Sequence, residues 1–208
     1  MILIRLLNVL VLCLLFGLVS CSQSKRTPDG KPIGPDGRFA LTYQEFKAAD
    51  DYRYTRDVWY HDQRIASANA KNTVLHIDLA NQRGTMCVND EIAMDYPVST
   101  GKSTHLTPRG TFSIIEKKEK YRSRSYGVVK NASGHVVNSD ATSSSKIPAG
   151  GQFEGSSMPL WMRIHGGVGL HVGIVYRDAA SHGCIRVPIE PCRILFDKCG
   201  MGTKVVVK

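Results

Sequence analysis

Ser181-His182-Gly183-Cys184-Ile185-Arg186, preceded by the run Gly169-Leu170-His171-Val172-Gly173, decides the reading of this chain of 208 residues. Cysteine attacks a carbonyl as thiolate, so it needs a base or a positive field beside it and hydrogen-bond donors where the oxyanion forms. A histidine lies a short loop upstream, and Arg186 would share a strand face with Cys184 in extended chain, where it could hold a substrate carboxylate. Backbone N–H groups of His182, Gly183 and Cys184 are the candidate oxyanion donors, and Gly183 lets the chain bend close to a substrate. The His182 side chain should point away from Cys184 and serve structure, while Ser181 could orient the histidine or the loop. A buried structural cysteine beside a tight turn is the rival reading, and these residues alone leave both open.

Outward from this motif the texture is short β runs between turn residues: 74–79, 85–88, 91–98, 110–115, 160–165, 169–175 and 203–207. Asn89-Asp90 suits a tight hairpin. Helical composition occurs at 42–50, where Thr42 and Glu45 are spaced as a capping box, and at 62–70. A clearer helix runs from Glu190 to Cys199 with Cys192, Leu195, Phe196 and Cys199 on one face. A mainly β fold, a mostly antiparallel sandwich with one C-terminal-region helix and a few short ones, follows. Residues 131–155, rich in Ser, Gly and Ala, read as a long loop or flap, or as disorder. Lys117, Lys118 and Lys120 read as a solvated basic stretch. Trp161 is a packing residue that could line a cleft.

The N-terminus opens with a short basic region and an apolar run to Val19, the pattern of an export signal. It ends in Leu18-Val19-Ser20-Cys21, which resembles the lipobox of bacterial lipoproteins. That resemblance implies cleavage before Cys21 and lipid on its sulfur. Loss of Arg5 with the signal lowers the net charge of +9 by one, so the mature chain stays basic. Basic exported proteins meet anionic lipids or wall polymers, and no nucleic-acid module is visible. The Pro-, Gly- and charge-rich residues after Cys21 form a tether. The expected organisation is a signal over 1–20, a lipidated cysteine, tether and helical lead-in over 21–72, and a catalytic domain over 73–208.

Four cysteines remain beyond the lipobox, with no zinc-like pair among them, and no metal or cofactor is expected. Cys192 and Cys199 on one helix would sit roughly 10.5 Å apart at about 1.5 Å rise per residue, too far for a disulfide. Sequence leaves a disulfide of Cys87 open.

The motif Gly169 to Gly173 followed by Ala180 to Pro188 resembles the signature of the L,D-transpeptidase catalytic domain, the YkuD domain. Asp78 to Arg83, Tyr96 to Lys102, Thr107 to Phe112, Met158 to Arg163 and Gly202 to Val205 resemble further family segments in the expected order, from about residue 73 onward. The resemblance implies a mixed β-sandwich with Cys184 at the mouth of a cleft. It also implies Cys184 as nucleophile, His171 as base and then acid, and the backbone of His182 to Cys184 as oxyanion site. Ser181, Arg186 and Trp161 become the candidate substrate contacts. His165, with fifteen residues before Ser181 against nine for His171, is the competing base. In such enzymes the thiolate attacks the third residue of a peptidoglycan tetrapeptide stem, releases D-alanine and passes the acyl group to an amine. The acceptor could be a neighbouring stem, a free D-amino acid, a lipoprotein or water. A noncatalytic wall-binding lipoprotein of the same fold is the alternative. Ser22 after Cys21 favours the outer membrane, facing the periplasm, in a diderm.

Overall fold

The computed structural model describes residues 42–208 apart from Arg177; the apolar N-terminal run and Cys21 lie outside the described residues. The described residues divide into two units between Ala48 and Ala49. In the first, the short helix α1 (Tyr43–Lys47) opens with the expected capping box, Thr42 and Glu45 each satisfying the other's backbone N–H.

The second unit begins with β1 (Trp59–Tyr60) and α2 (Asp62–Ser67) and continues through β2 (Thr73–Asp78), β3 (Arg83–Val88) and β4 (Glu91–Pro97). Strict alternation of buried and half-buried residues along β2 puts Leu75 and Ile77 inward, as period-2 patterning requires. Asn89 and Asp90 both take positive φ, 49° and 65°, which matches the twist of a two-residue hairpin. β5 (Gly110–Ser113) and the terminal β13 (Lys204–Val207) complete a six-stranded sheet in the order β1-β4-β3-β2-β13-β5. β13 enters parallel to β2, so the sheet is mixed.

A second sheet holds β6 (Glu116–Lys118), β10 (Trp161–His165), β11 (Val168–Val172) and β12 (Ile185–Val187), ordered β12-β11-β10-β6. β11 and β12 are parallel, with His171 opposite Arg186 in register. Met162, Leu170, Ile185 and Val187 from this sheet meet Leu75, Met86, Met94 and Val205 of the first in one core. α3 (Ile189–Lys198) adds Cys192 and Leu195 to that core. Pro191 sits in its first turn, where no N–H is needed. Cys87, Cys184, Cys192 and Cys199 are free, and burial pushes the thiols of Cys192 and Cys199 up to about 12.

Two sequence expectations change. Residues 131–155 are not a loop: β7 (Arg122–Lys130), β8 (Val136–Thr142) and β9 (Gln152–Ser157) build a three-stranded sheet ordered β8-β7-β9. Its strands carry Ser, Asn and Gly and are exposed along much of their length, so no apolar alternation announced them. Lys117 is not merely solvated. Its Nζ donates to the Phe196 and Cys199 carbonyls at 2.5 and 2.6 Å, satisfying orphan acceptors at the C-terminus of α3.

Within the first sheet, β3 and β4 contribute a charged pair. Arg83 and Asp95 are 1% and 0% exposed, joined by Nε and Nη2 to Oδ1 at 2.8 and 2.7 Å. Arg83 also donates to the Thr55 and Asp57 carbonyls, both at 3.1 Å, and Tyr52 donates to Asp95 Oδ2 at 2.8 Å. The pair is therefore hydrogen-bonded on several sides, the condition under which a buried ion pair is tolerated.

Candidate functional site

Cys184 sits just before β12, at the end of the Ser181 to Gly183 loop, and His171 is the penultimate residue of β11. Both line one cleft of about 660 Å³, together with Ser181, His182 and Arg186. His165 does not line it. Its ring packs on Phe112 with centroids 5.4 Å apart, at the far end of β10. The parallel pairing of β11 and β12 is what brings His171 to the nucleophile side.

The loop that presents Cys184 is held by three nested sets of hydrogen bonds. Ser181 Oγ accepts from the Gly183 N–H at 3.0 Å and donates to the Cys184 carbonyl at 2.5 Å, closing the turn on itself. Gly183 takes φ +108°, a region open to glycine and strained for other residues. Buried Thr107 accepts from the Gly101 N–H and donates to the Gly183 carbonyl, both at 2.8 Å. A Cβ on Gly101 would stand 2.0 Å from the His105 carbonyl oxygen and 2.9 Å from Gly183 Cα, so only glycine admits this approach. Outermost, Gln82 donates to Thr100 Oγ1 at 2.8 Å and accepts from the Thr100 N–H at 2.9 Å. Ser99 exchanges both backbone bonds with Arg186, at 3.0 and 2.9 Å. Thr107 and Gln82 are thus positioning residues that the sequence offered only as parts of matching segments.

Replacing Thr107 by valine keeps its shape but strands a buried N–H and a buried carbonyl. At about 1–3 kcal/mol for each unpaired group, the variant should lose about 2 kcal/mol or more in urea denaturation. A loss below about 0.5 kcal/mol would show that the hydroxyl bridge does not matter to stability.

The electrostatics leave both central groups neutral at rest. His171 is buried, and desolvation lowers its pKa to about 4 against a smaller opposing effect of the Val172 carbonyl. Its Nδ1 lies 2.9 Å from that carbonyl, so a proton on Nδ1 donates there and Nε2 keeps its lone pair. Burial raises the Cys184 thiol, opposed by a backbone hydrogen bond at Gly169 and by the charge of Arg186. The thiol donates to the Gly167 carbonyl at 3.6 Å.

Two expected contacts are revised. Gly183 was a candidate oxyanion donor, but its N–H is committed to Ser181 Oγ, so among the described residues the unengaged amides of the loop are His182 and Cys184. Trp161 was a candidate substrate contact, but it is 1% exposed. Its indole donates to Glu116 at 3.0 Å and stacks on Tyr121 at 4.8 Å, with its ring 6.2 Å from that of His171. It backs the histidine rather than facing the cleft.

His182 is turned from the sulfur toward the three-stranded sheet. Its ring stacks on Tyr126 at 4.5 Å, meets His105 edge-on at 4.7 Å and reaches Asp140 at 3.2 Å. Arg186 lies across Gly173, where a Cβ would come 2.9 Å from its Cγ, so glycine there gives the guanidinium stem room. Among the described residues no group of three or more His, Cys, Asp or Glu gathers to hold a metal.

The family model of the YkuD L,D-transpeptidase catalytic domain matches residues 72–207. No curated protein matches. Among solved structures, an L,D-transpeptidase from Mycobacterium smegmatis is 21% identical with a TM-score of 0.51, over 66% of this chain and 58% of that one. Another from Stackebrandtia nassauensis is 20% identical with a TM-score of 0.49, over 70% of this chain and 63% of that one. This chain therefore spans less than two thirds of either relative. The first likeness shows a shared mixed β-sandwich fold.

Proposed function

The chain belongs to the L,D-transpeptidase catalytic domain family, and from that premise we propose that it is a cysteine acyltransferase acting on peptidoglycan tetrapeptide stems. The observation that carries this reading is the shared cleft of Cys184 and His171, with the Nδ1 face of the histidine turned to the Val172 carbonyl. In the first half-reaction the sulfur of Cys184 attacks the carbonyl of the stem's third residue. His171 Nε2 takes the thiol proton and returns it to the departing nitrogen of D-alanine, leaving a thioester. The N–H of Cys184, with that of His182, receives the oxyanion, and Arg186 holds a stem carboxylate. In the second half-reaction an amine attacks the thioester, His171 takes the amine proton, and the sulfur leaves as the new amide forms.

A lipid on Cys21 would anchor the exported chain to a membrane facing the wall, the outer membrane in a diderm, with the tether giving reach. Palmitate labelling lost in Cys21→Ala tests this, and labelling that persists rejects it.

The chemistry is tested by incubating the protein with tetrapeptide muropeptides or a carbapenem and recording intact masses. An adduct appears on Cys184 and is absent in Cys184→Ala. A folded, reduced sample that forms no adduct yet retains wall binding would instead be the noncatalytic tether.

The neutral resting pair has its own signature. Because burial raises the Cys184 thiol, alkylation by iodoacetamide should stay slow through pH 7 and climb above pH 9. A fast plateau reaching down to pH 5 would mean a standing thiolate and imidazolium pair, contrary to this arrangement.

A further inference from the structure

Among the described residues, the cleft holding Cys184 is lined by two arginines from different sheets, Arg186 on β12 and Arg124 on β7, and by no aspartate or glutamate. Their neighbours with acids are already served. Glu154 pairs with Arg122 at 2.9 Å and with Lys130, and Asp140 with His182 at 3.2 Å and Lys102 at 3.8 Å. No acid or carbonyl among the described residues engages either cleft guanidinium. Arg186 is half-buried and Arg124 exposed at the rim, and two cations at a cleft with no acid among its described lining raise the positive potential met by what enters it.

Arg124 is set there by the backbone. Ser123 Oγ accepts from the N–H groups of Ser125 and Tyr126 at 3.2 and 3.0 Å, which buckles β7 at Arg124 and breaks its regular pairing with β9. Two residues on, Tyr126 stacks on His182, tying this bend to the loop of the nucleophile. A strand that presents a charge by a bulge, fastened to the catalytic loop, is built to read something beside the reacting carbonyl.

Resting on the proposed acyl-transfer reading, we infer that Arg124 is a specificity residue: together with Arg186 it selects stems that bring two free carboxylates into the cleft, and it rejects stems in which the carboxylate it reads is amidated. Arg186 takes one carboxylate near Cys184, and Arg124 takes the second. An amide offers one carbonyl oxygen and its own N–H donors to a guanidinium that has only donors. The charge-assisted pair is lost and two donors face each other.

The test uses the full-length chain in detergent and synthetic tetrapeptides L-alanyl-γ-D-glutamyl-diaminopimelyl-D-alanine, either fully acidic or amidated at one carboxylate at a time. Cys184 acylation is followed by mass and kinetics. In the wild type, one singly amidated stem should be used about tenfold or more less efficiently than the acid, mainly through KM. In Arg124→Gln that ratio should collapse toward one, and Arg124→Lys should restore part of it. Alkylation of Cys184 by neutral iodoacetamide checks that the cleft of each variant is intact. If stems acylate Cys184 but Arg124→Gln keeps the full preference, or the wild type shows none, the inference fails and the transpeptidase reading stands. If no stem acylates Cys184 in the wild type, both fall.

Discussion

Asp95→Ala should destabilise the protein by about 3–5 kcal/mol, because it takes the Asp95 carboxylate away from the buried, charged Arg83 guanidinium. Arg83 is 1% exposed, so water cannot replace the lost partner without opening the sheet. The Tyr52 hydroxyl loses its 2.8 Å bond to Asp95 Oδ2 in the same stroke. In a chain of this size the change should lower the Tm by about 10 °C or more. The double variant Arg83→Met with Asp95→Leu should recover most of the loss, since the unpaired charge, not the absence of the pair, is what costs. A single variant within about 1 kcal/mol of wild type would mean that the pocket readily hydrates.

His171→Gln should reduce Cys184 acylation by stems about 10²–10⁴-fold, the usual range for losing a general base and acid. Its pH behaviour is distinctive. With a folded pKa of about 4 and an unfolded value near 6.5, the histidine remains neutral in the folded state at every pH well above 4. Histidine protonation should therefore cause no fall in acylation between pH 8 and 5.5, and a decline should begin only near pH 4–5. The same shift bears on stability. A depressed folded pKa means that the unfolded chain binds the proton first, so stability is full above about pH 6.5 and is lost as pH falls toward 4. The shift corresponds to about 3 kcal/mol. His171→Gln should flatten the acid limb of the urea midpoint by about that amount. An unchanged acid limb would assign it to other groups.

The sequence made the first sheet legible because β2, β3 and β13 carry β-branched and apolar residues at the spacing their burial demands. The helix α3 was legible by its apolar face, and the absence of a Cys192 to Cys199 disulfide by its geometry. The three-stranded sheet was hidden because β8 and β9 bury so little that composition reads as loop. The site was legible in part. Cys184, His171 and Arg186 stand out by chemical type and the resemblance already preferred His171 to His165; what no single strand encodes is the parallel pairing of β11 and β12 that sets His171 opposite Arg186. Thr107 and Gln82 act through hydrogen bonds to backbone 76 and 18 residues away, with no local pattern to mark them. Trp161 was read as a packing residue and offered also as a cleft contact, since a large aromatic beside a motif suits both, and its burial agrees with the first reading.

β6 and β10 are antiparallel neighbours, with Lys118 opposite Trp161, although the whole three-stranded sheet lies between them in the chain. The neck is zipped further by Leu160 donating to the Glu119 carbonyl at 2.9 Å and Met158 to that of Tyr121 at 2.8 Å. The excursion thus leaves and re-enters the sandwich at adjacent points, like a cassette plugged into a socket. Its coupling to the site is instead made by side chains, Tyr126 and Asp140 against His182 and Tyr121 against Trp161. The three-stranded sheet is thus joined to the sandwich by one paired neck and meets the Cys184 loop through a few side chains.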